Sequence, residues 1–564
     1  MEKEILSASP KIKNRELIIL VVIFMFSLLI RQIGLDTGFP LLTHPDESTI
    51  IDPVVMMTET KILNPGNFNR PDQILYFLNY FYLNALSYLR FGENLAVTFQ
   101  ENQLFFYHYA RFLISIMGAL IPVIAYLIGK QFNKKLAFIS ALVFAFFPAY
   151  IVHSAYITPD VPITLFTLLV IYFALRYLKK DDQKSIYIAT IIAAINTAEK
   201  YPGLISLSIV FLGIILKRID EDKMRKIKWG LLVRDLLKFS LIFMLALAII
   251  APNLIIERQL VLDALVTEAR TTHLGADNLG WGGNLLFYIQ QFGFWSNFLA
   301  ILFIAVGFFA LAHWRDPHTL LLLYGLLYWV ILSRLPLHWE RWALPMYTTP
   351  LFLSAIAMFY LWEKTKTIKL ARVTTLIIIS GFFFNQITAS LYFPVRMSFT
   401  DTRVVAQEYC EENNITRENS IFEGYTPLLP TYPKTIFDEN LQQDGIKYVI
   451  LSSRMYDRYY AEPDRYADEL RFYEHIRNEN SQLTTFSPET TSSSLFERSE
   501  DIQYYFKQKL KLAPNDRYYG PTIEIYEVTK SNPGQFSYYP ISKSIVLSLD
   551  SQIYFPRLVS TNAP

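Results

Sequence analysis

The tetrad His44-Pro45-Asp46-Glu47 stands directly behind the first long apolar run of the chain. Adjacent carboxylates can take a proton from a hydroxyl, or they can be solvated charges beside a membrane helix. Further charges recur at the ends of later apolar runs: Asp160 in Thr158-Pro159-Asp160-Val161-Pro162, Lys200 in Glu199-Lys200-Tyr201-Pro202-Gly203, and Glu340 and Arg341 in His338-Trp339-Glu340-Arg341-Trp342. Charges at membrane depth are costly, and when present they face a cavity and pair. Lys200 is the most telling, because the run Ile186 to Ala198 before it would span only ~20 Å as a helix. A polar pocket recessed in one leaflet would accommodate it. Such a pocket suits transfer from a lipid-linked phosphosugar, with phosphate against Lys or Arg and a carboxylate removing a proton from an incoming hydroxyl. A transporter would carry similar charges.

These residues must be positioned by membrane elements. Of the 564 residues, 52% are hydrophobic and 18% charged, below the ~25% charged of soluble domains. The deficit is uneven: 60 of the first 392 residues are charged, against 42 of the 172 from Phe393 onward. The expected architecture is therefore an all-α polytopic membrane domain over residues 1–392, followed by a soluble α/β domain over 393–564. About 20 apolar residues cross a bilayer core. That ruler marks about eleven spans: Leu17 to Ile33, Phe105 to Ile128, Leu136 to Val152, Val161 to Leu178, Ile186 to Ala198, Gly203 to Leu216, Leu236 to Ala251, Leu285 to Ala312, Leu320 to Leu332, Ala343 to Trp362 and Val373 to Phe393.

The stretch Ile186 to Leu216 could be one helix with a buried ion pair or two helices meeting at Pro202-Gly203. Turn chemistry favours two. So does the distribution of Lys and Arg, which collect in cytoplasmic loops. Two helices put Lys3, Lys11, Lys13, Arg15, Lys130, Lys134, Lys135, Lys179, Lys180, Lys217 and the 218–228 and 364–372 clusters on one side. The amino terminus is then cytoplasmic in a plasma (inner) membrane and the tail extracytoplasmic. The first run, lacking a small-residue cleavage site, is expected to stay as a signal anchor. The outer loop 36–104 carries the tetrad, and Ile74 to Leu89 within it suits an interfacial helix.

In the tail, Thr402 to Asn413 has a helical pattern, Lys447 to Ser452 and Thr522 to Val528 have strand patterns, and the Ser/Thr-rich Ser481 to Ser499 is expected to be a loop. Net charges of +8 for residues 1–392 and −6 for the tail give no reason to expect a nucleic-acid partner. Cys410 is the only cysteine, which excludes an intramolecular disulfide. His153, His273 and His338 are expected to be structural.

Taken in order, the tetrad after the first helix, Arg111 opening the second, Asp160 starting the fourth, Glu199-Lys200-Tyr201-Pro202-Gly203 and Arg341-Trp342-Ala343-Leu344-Pro345 resemble the polytopic glycosyltransferases of superfamily C. The protein O-mannosyltransferase and aminoarabinose-transferase group is the most similar. Asp401-Thr402-Arg403 and Gly445 to Ile450 resemble, more loosely, the extracytoplasmic domains of bacterial members. The resemblance implies a polyprenyl-phosphate-sugar donor, a single inverting displacement, and a protein, lipid or glycan hydroxyl as acceptor. It makes Asp46 the general base, with Glu47 beside it, and gives Arg70-Pro71 the place of the basic-Pro pair that contacts the lipid phosphate. Glu47 and Asp160 would orient sugar or acceptor, and Arg70, Lys200 and Arg341 would stabilise the leaving phosphate.

Ser48, Thr49, Ile50 and Ile51 depart from the aminoarabinose transferases, which carry an Arg shortly after the acidic pair. The outer loops carry no Asp-x-Asp motif and the chain no Trp-Trp-Asp signature of oligosaccharyltransferases, which argues against N-glycan transfer, and no metal or other cofactor is expected. Plainer readings stand beside these. Arg111 could anchor a helix end by snorkelling, Asp160 could cap its helix, Glu340 and Arg341 could be a structural pair, and His44, Asp46 and Glu47 could bind a divalent ion. A lipid-linked-sugar flippase or other secondary transporter is the alternative function, although only one broken element is evident where transporters repeat them in two halves.

The topology is open to cysteine labelling in a Cys410→Ser background. Cysteines introduced near Ser48 and Asn278 should be modified from outside intact cells and one near Lys226 should not; labelling at Lys226 would overturn the sidedness.

Overall fold

The computed structural model describes residues 14–221, 229–268, 279–297, 299–313, 318–427, 445–491 and 494–528. Among the described residues each of the eleven apolar segments is mostly helical, with breaks at Phe146-Phe147 and after Ser296. Among the described residues, five helices are long and apolar enough to cross a membrane by themselves: Gln103–Lys130, Asp160–Lys180, Tyr201–Ile219, Glu340–Lys364 and Lys369–Met397. The number becomes seven if each of two bent pairs forms one span. One such pair, Lys134–Ala145 with Pro148–Ala155, turns by 60° where Pro148 takes the first position of the second helix. The eleven expected spans thus exceed what length and composition support singly. His318–Leu332 has only 15 residues, Asn14–Arg31 carries Arg15, Glu16 and Arg31, and Trp229–Ile250 carries Arg234, Asp235 and Lys238 within its length.

Apolar side chains divide between two environments. A single large cluster, running from Ile50 through Phe144 and Tyr347 to Phe382, fills the bundle. Outside it, the helices Asn14–Arg31, Trp229–Ile250 and Lys369–Met397 leave Ile18, Leu237, Ile249, Ile377 and Phe384 exposed. Apolar faces on this scale suit hydrocarbon, and helices satisfy their own backbone groups there.

The stretch around Lys200 forms two helices, Gln183–Glu199 and Leu207–Glu221, joined by the 3₁₀ turn Tyr201–Ser206. Gly203 seats the turn: its N–H donates to the Lys200 carbonyl at 2.7 Å, and a Cβ there would stand 2.0 Å from the Asn196 carbonyl oxygen. Ion pairs between Glu16 and Lys130, Lys135 and Glu363, and Asp181 and Lys217 join helix ends at one end of the bundle. The tetrad, Asp160, Lys200 and Arg341 lie at helix termini of the other end.

Residues 36–104 supply two long helices and the short helix Leu95–Thr98. Pro45–Thr60 begins within the tetrad, with Pro45 in its first turn and His44 as cap, Nδ1 accepting from the Asp46 N–H at 3.3 Å. Gln73–Phe91 covers the expected interfacial segment.

Beyond Met397 the described chain builds a four-stranded mixed sheet. Ser420–Phe422 runs parallel to Tyr448–Ser452, which pairs antiparallel with Ile523–Glu527, which in turn pairs antiparallel with Ser481–Phe486. The two strands and the helix expected here are present, the helix as Thr402–Glu412. Ser481 to Ser499 departs from expectation: it opens with the edge strand Ser481–Phe486 and ends in a helix beginning at Leu495. A largely exposed edge strand needs no apolar alternation, so its Ser and Thr gave no strand signal.

Glu47 and Arg111 are both fully buried and joined by two hydrogen bonds, Nε to Oε1 at 2.8 Å and Nη2 to Oε2 at 2.7 Å. Removing one member of a buried pair strands the other and typically costs ~3–5 kcal/mol. Glu47→Gln or Arg111→Met alone should therefore lower the melting temperature of the purified protein sharply. The double variant should lose less than the two losses added together; simple additivity would rule out the coupling.

Candidate functional site

Successive residues on a helix point about 100° apart, and this separates the two carboxylates of the tetrad. Glu47 turns into the bundle. There Arg111 grips it and donates from Nη1 to the carbonyls of Leu35 and Thr37 at 2.9 Å each. The Ile157 N–H donates to Glu47 Oε1 at 3.0 Å, and the Phe39 ring covers the guanidinium with its centroid 4.6 Å away. Glu47 and Arg111 thus tie together the start of the second apolar helix, the segment after the first, and the approach to Asp160. Both oxygens of Glu47 are occupied, and its side chain does not reach solvent.

Asp46 turns the other way and is partly open, at 23% side-chain exposure. Its Oδ2 is shared by Arg70 Nη1, at 3.3 Å, and Arg341 Nη1. Arg70 donates from Nε to Asp72 Oδ2 at 3.1 Å and from Nη2 to Thr49 Oγ1 at 2.7 Å. Arg341 also reaches Asp160, Nε to Oδ2 at 3.8 Å. Lys200 donates to the other oxygen of Asp160 at 2.6 Å and lies 5.7 Å from the centroid of Trp342. Three cations and three carboxylates therefore share one site: Arg70, Lys200 and Arg341 with Asp46, Asp72 and Asp160.

Burial pushes the Asp46 carboxyl up, but the charges of Arg341 and Arg70, with His44 beyond them, overcome it and hold the group below the usual carboxylate range. Burial has the upper hand at Asp72. It raises that carboxyl to about 6 against the pull of Arg70 and Lys200, and Asp72 Oδ1 has no hydrogen-bond partner among the described residues. Burial also lowers the His44 imidazole to about 4, which suits its role as a neutral cap.

Asp46, Arg70, Asp160, Lys200 and Arg341, all expected from sequence to serve the site, meet here. Glu47 and Arg111 form a separate buried pair. Glu340 stands apart too: Trp295 Nε1 donates to its Oε2 at 3.2 Å, and His153 Nε2 lies 3.5 Å from Oε1. Asp72 and Thr49 were missed. Asp72 carried one signal, its place two residues after Arg70 in Arg-Pro-Asp, and its backbone is left-handed at φ 45°.

The tail is fastened to the tetrad. Asp401 caps its helix by accepting from the Arg403 N–H at 2.9 Å, and its two oxygens take the Arg403 guanidinium at 2.8 Å each. Arg403 Nη1 then donates to the Thr43 carbonyl at 3.0 Å, one residue before the helix cap. Among the described residues no three His, Cys, Asp or Glu side chains gather as metal ligands.

A family model described as dolichyl-phosphate-mannose-protein mannosyltransferase matches residues 107–256, which include Arg111, Asp160 and Lys200. No curated protein matches the chain. Among solved structures, apo ArnT from Cupriavidus metallidurans is 12% identical with a TM-score of 0.48, covering 79% of this chain and 95% of its own. ArnT from the same organism bound to undecaprenyl phosphate is 13% identical with a TM-score of 0.43, covering 78% and 94%. The Archaeoglobus fulgidus oligosaccharyltransferase in complex with zinc and sulfate is 13% identical with a TM-score of 0.46, covering 84% of this chain and 72% of its own. The family match and the ordered sequence motifs agree: this chain resembles the polytopic membrane glycosyltransferases of superfamily C, in the protein mannosyltransferase and aminoarabinose-transferase group.

Proposed function

We propose that the chain is an integral membrane glycosyltransferase that moves a sugar from a polyprenyl-phosphate carrier to an acceptor hydroxyl on the extracytoplasmic face, with inversion at the anomeric carbon. The observation that carries this reading is the sharing of Asp46 Oδ2 between Arg70 and Arg341, beside the Asp160–Lys200 pair. Arginine matches phosphate as well as carboxylate. A donor phosphate arriving among these cations competes with Asp46 and Asp160 for them. Asp46, relieved of its partners, regains basicity, so the base is armed by the substrate it serves.

The acceptor oxygen attacks the anomeric carbon while its proton passes to Asp46. The bond from that carbon to the phosphate oxygen breaks, and its electron pair leaves with the polyprenyl phosphate. Arg70, Arg341 and Lys200 stabilise the charge that develops there. Glu47 and Arg111 do not touch substrate in this reading; they hold the tetrad helix in place. No step in this reading runs through a metal ion, because Arg70, Arg341 and Lys200 supply the positive charge at the site, while His44 Nδ1 is engaged in its helix cap and both oxygens of Glu47 by Arg111. Asp46 alone of the tetrad remains for chemistry.

Asp46→Asn keeps size but loses basicity, so turnover should fall by about 10² to 10⁴. Donor affinity should hold or rise, because the substitution frees two arginines for phosphate. Near-normal turnover would remove Asp46 from the mechanism. Activity should also persist in EDTA, and a loss reversed by Mn²⁺ or Mg²⁺ would return His44, Asp46 and Glu47 to consideration as ligands.

A further inference from the structure

A second cavity, of about 320 Å³, opens between the membrane bundle and the tail, within the size range of ligand pockets. One wall is Phe287, Trp339 and Glu340; the other is Asp457, Arg458 and Glu462. Three carboxylates against one guanidinium make it acidic. Glu462 is more than nine-tenths buried. Arg465 Nη1 donates to its Oε2 at 3.1 Å, while Oε1 has no hydrogen-bond partner among the described residues. A buried acceptor left open in this way costs free energy that a ligand donor can recover. Glu340 is anchored on its bundle side by Trp295 and His153 and still partly exposed, at 36%. Trp339 is half-buried, with Arg458 5.5 Å from its ring centroid.

The cavity is linked to the tetrad along both walls. Glu340 precedes Arg341, which holds Asp46 and Asp160. On the other wall, the helix Ser453–Tyr460 spans ~12 Å. Its Arg454 lies within electrostatic reach of Tyr156, whose ring packs on His44 at 4.4 Å between centroids.

We infer that this cavity binds a neutral, hydroxyl-rich glycan as the acceptor, one or more sugar units away from the hydroxyl that Asp46 deprotonates. This rests on the glycosyl-transfer reading and names its acceptor class. A sugar hydroxyl supplies the donor that Glu462 Oε1 lacks, the partly exposed Glu340 and the exposed Asp457 can accept from further hydroxyls, and the half-buried indole of Trp339 offers apolar surface to a pyranose ring. The net negative lining repels phosphate- or carboxylate-bearing acceptors. A peptide is disfavoured because its backbone N–H and C=O groups also need partners, and these walls present side chains and helix ends instead of a strand edge.

The test uses the full chain in lipid nanodiscs and saturation-transfer NMR. The probes are mannotriose, maltotriose and cellotriose as neutral glycans, trigalacturonate as an anionic one, and a Ser/Thr-rich peptide. At least one neutral trisaccharide should bind. Trp339→Ala and Glu462→Gln should each weaken that binding tenfold or more, and Trp339→Phe should restore most of it. Undecaprenyl phosphate binding should stay at the wild-type level in all three variants, which also reports that they fold. The inference is overturned if no neutral trisaccharide binds, if trigalacturonate or the peptide binds as tightly, or if the variants bind the trisaccharide normally. Failure of the wild-type protein to bind undecaprenyl phosphate would instead sink the transfer reading and leave the trisaccharide result to decide the cavity.

Discussion

Every charge placed among apolar helices must be neutralised where it stands, and the architecture of this site follows from that constraint. Arg70, Lys200 and Arg341 face Asp46, Asp72 and Asp160, so the side chains of the site balance one another. The balance makes it receptive to an anion, because an arriving phosphate can exchange with a carboxylate without leaving a cation bare. The same arginines hold the Asp46 carboxyl below the usual carboxylate range. A permanently free base at this position would have to be desolvated alone, at greater cost.

The Glu47–Arg111 pair meets the same constraint in a different way. It lies entirely inside and combines its charge neutralisation with hydrogen bonds to the Leu35 and Thr37 carbonyls and the Ile157 N–H. Three chain segments that converge on the site are thereby locked to one ion pair. From the tail, Arg403 adds a hold on the Thr43 carbonyl. The start of the Pro45–Thr60 helix is thus fixed from below by the bundle and from above by the sheet region, and Asp46 inherits that rigidity. Preorganisation of this kind lets a partly exposed carboxylate keep its direction.

Much of this was legible in the residues. Apolar runs located the helices, Pro202-Gly203 located the break at Lys200, and the one-sided Lys and Arg put the tetrad, Asp160, Lys200 and Arg341 at one end of the bundle. These features depend on local composition and turn chemistry, which the chain carries at each point. Span lengths were less secure, because burial inside a bundle tolerates short or charged helices such as His318–Leu332 and Trp229–Ile250 that hydropathy alone would question.

Tertiary structure alone decided which carboxylate faces which cation. Asp46 and Glu47 are adjacent and chemically alike, and no pattern in the sequence distinguishes a partly exposed carboxylate from a buried brace. The helix started by Pro45 separates them by its turn angle, and residues 64 positions onward for Glu47, and 24 and 295 for Asp46, supply the partners that fix their roles. Asp72 went unnoticed for the same reason, since its burial comes from chain folding back against Glu199, whose carbonyl takes the Asp72 N–H at 2.9 Å. Sequence determined which charges the membrane end would hold; long-range packing determined their pairing, because Coulomb energy and desolvation depend on distances that only the folded chain sets.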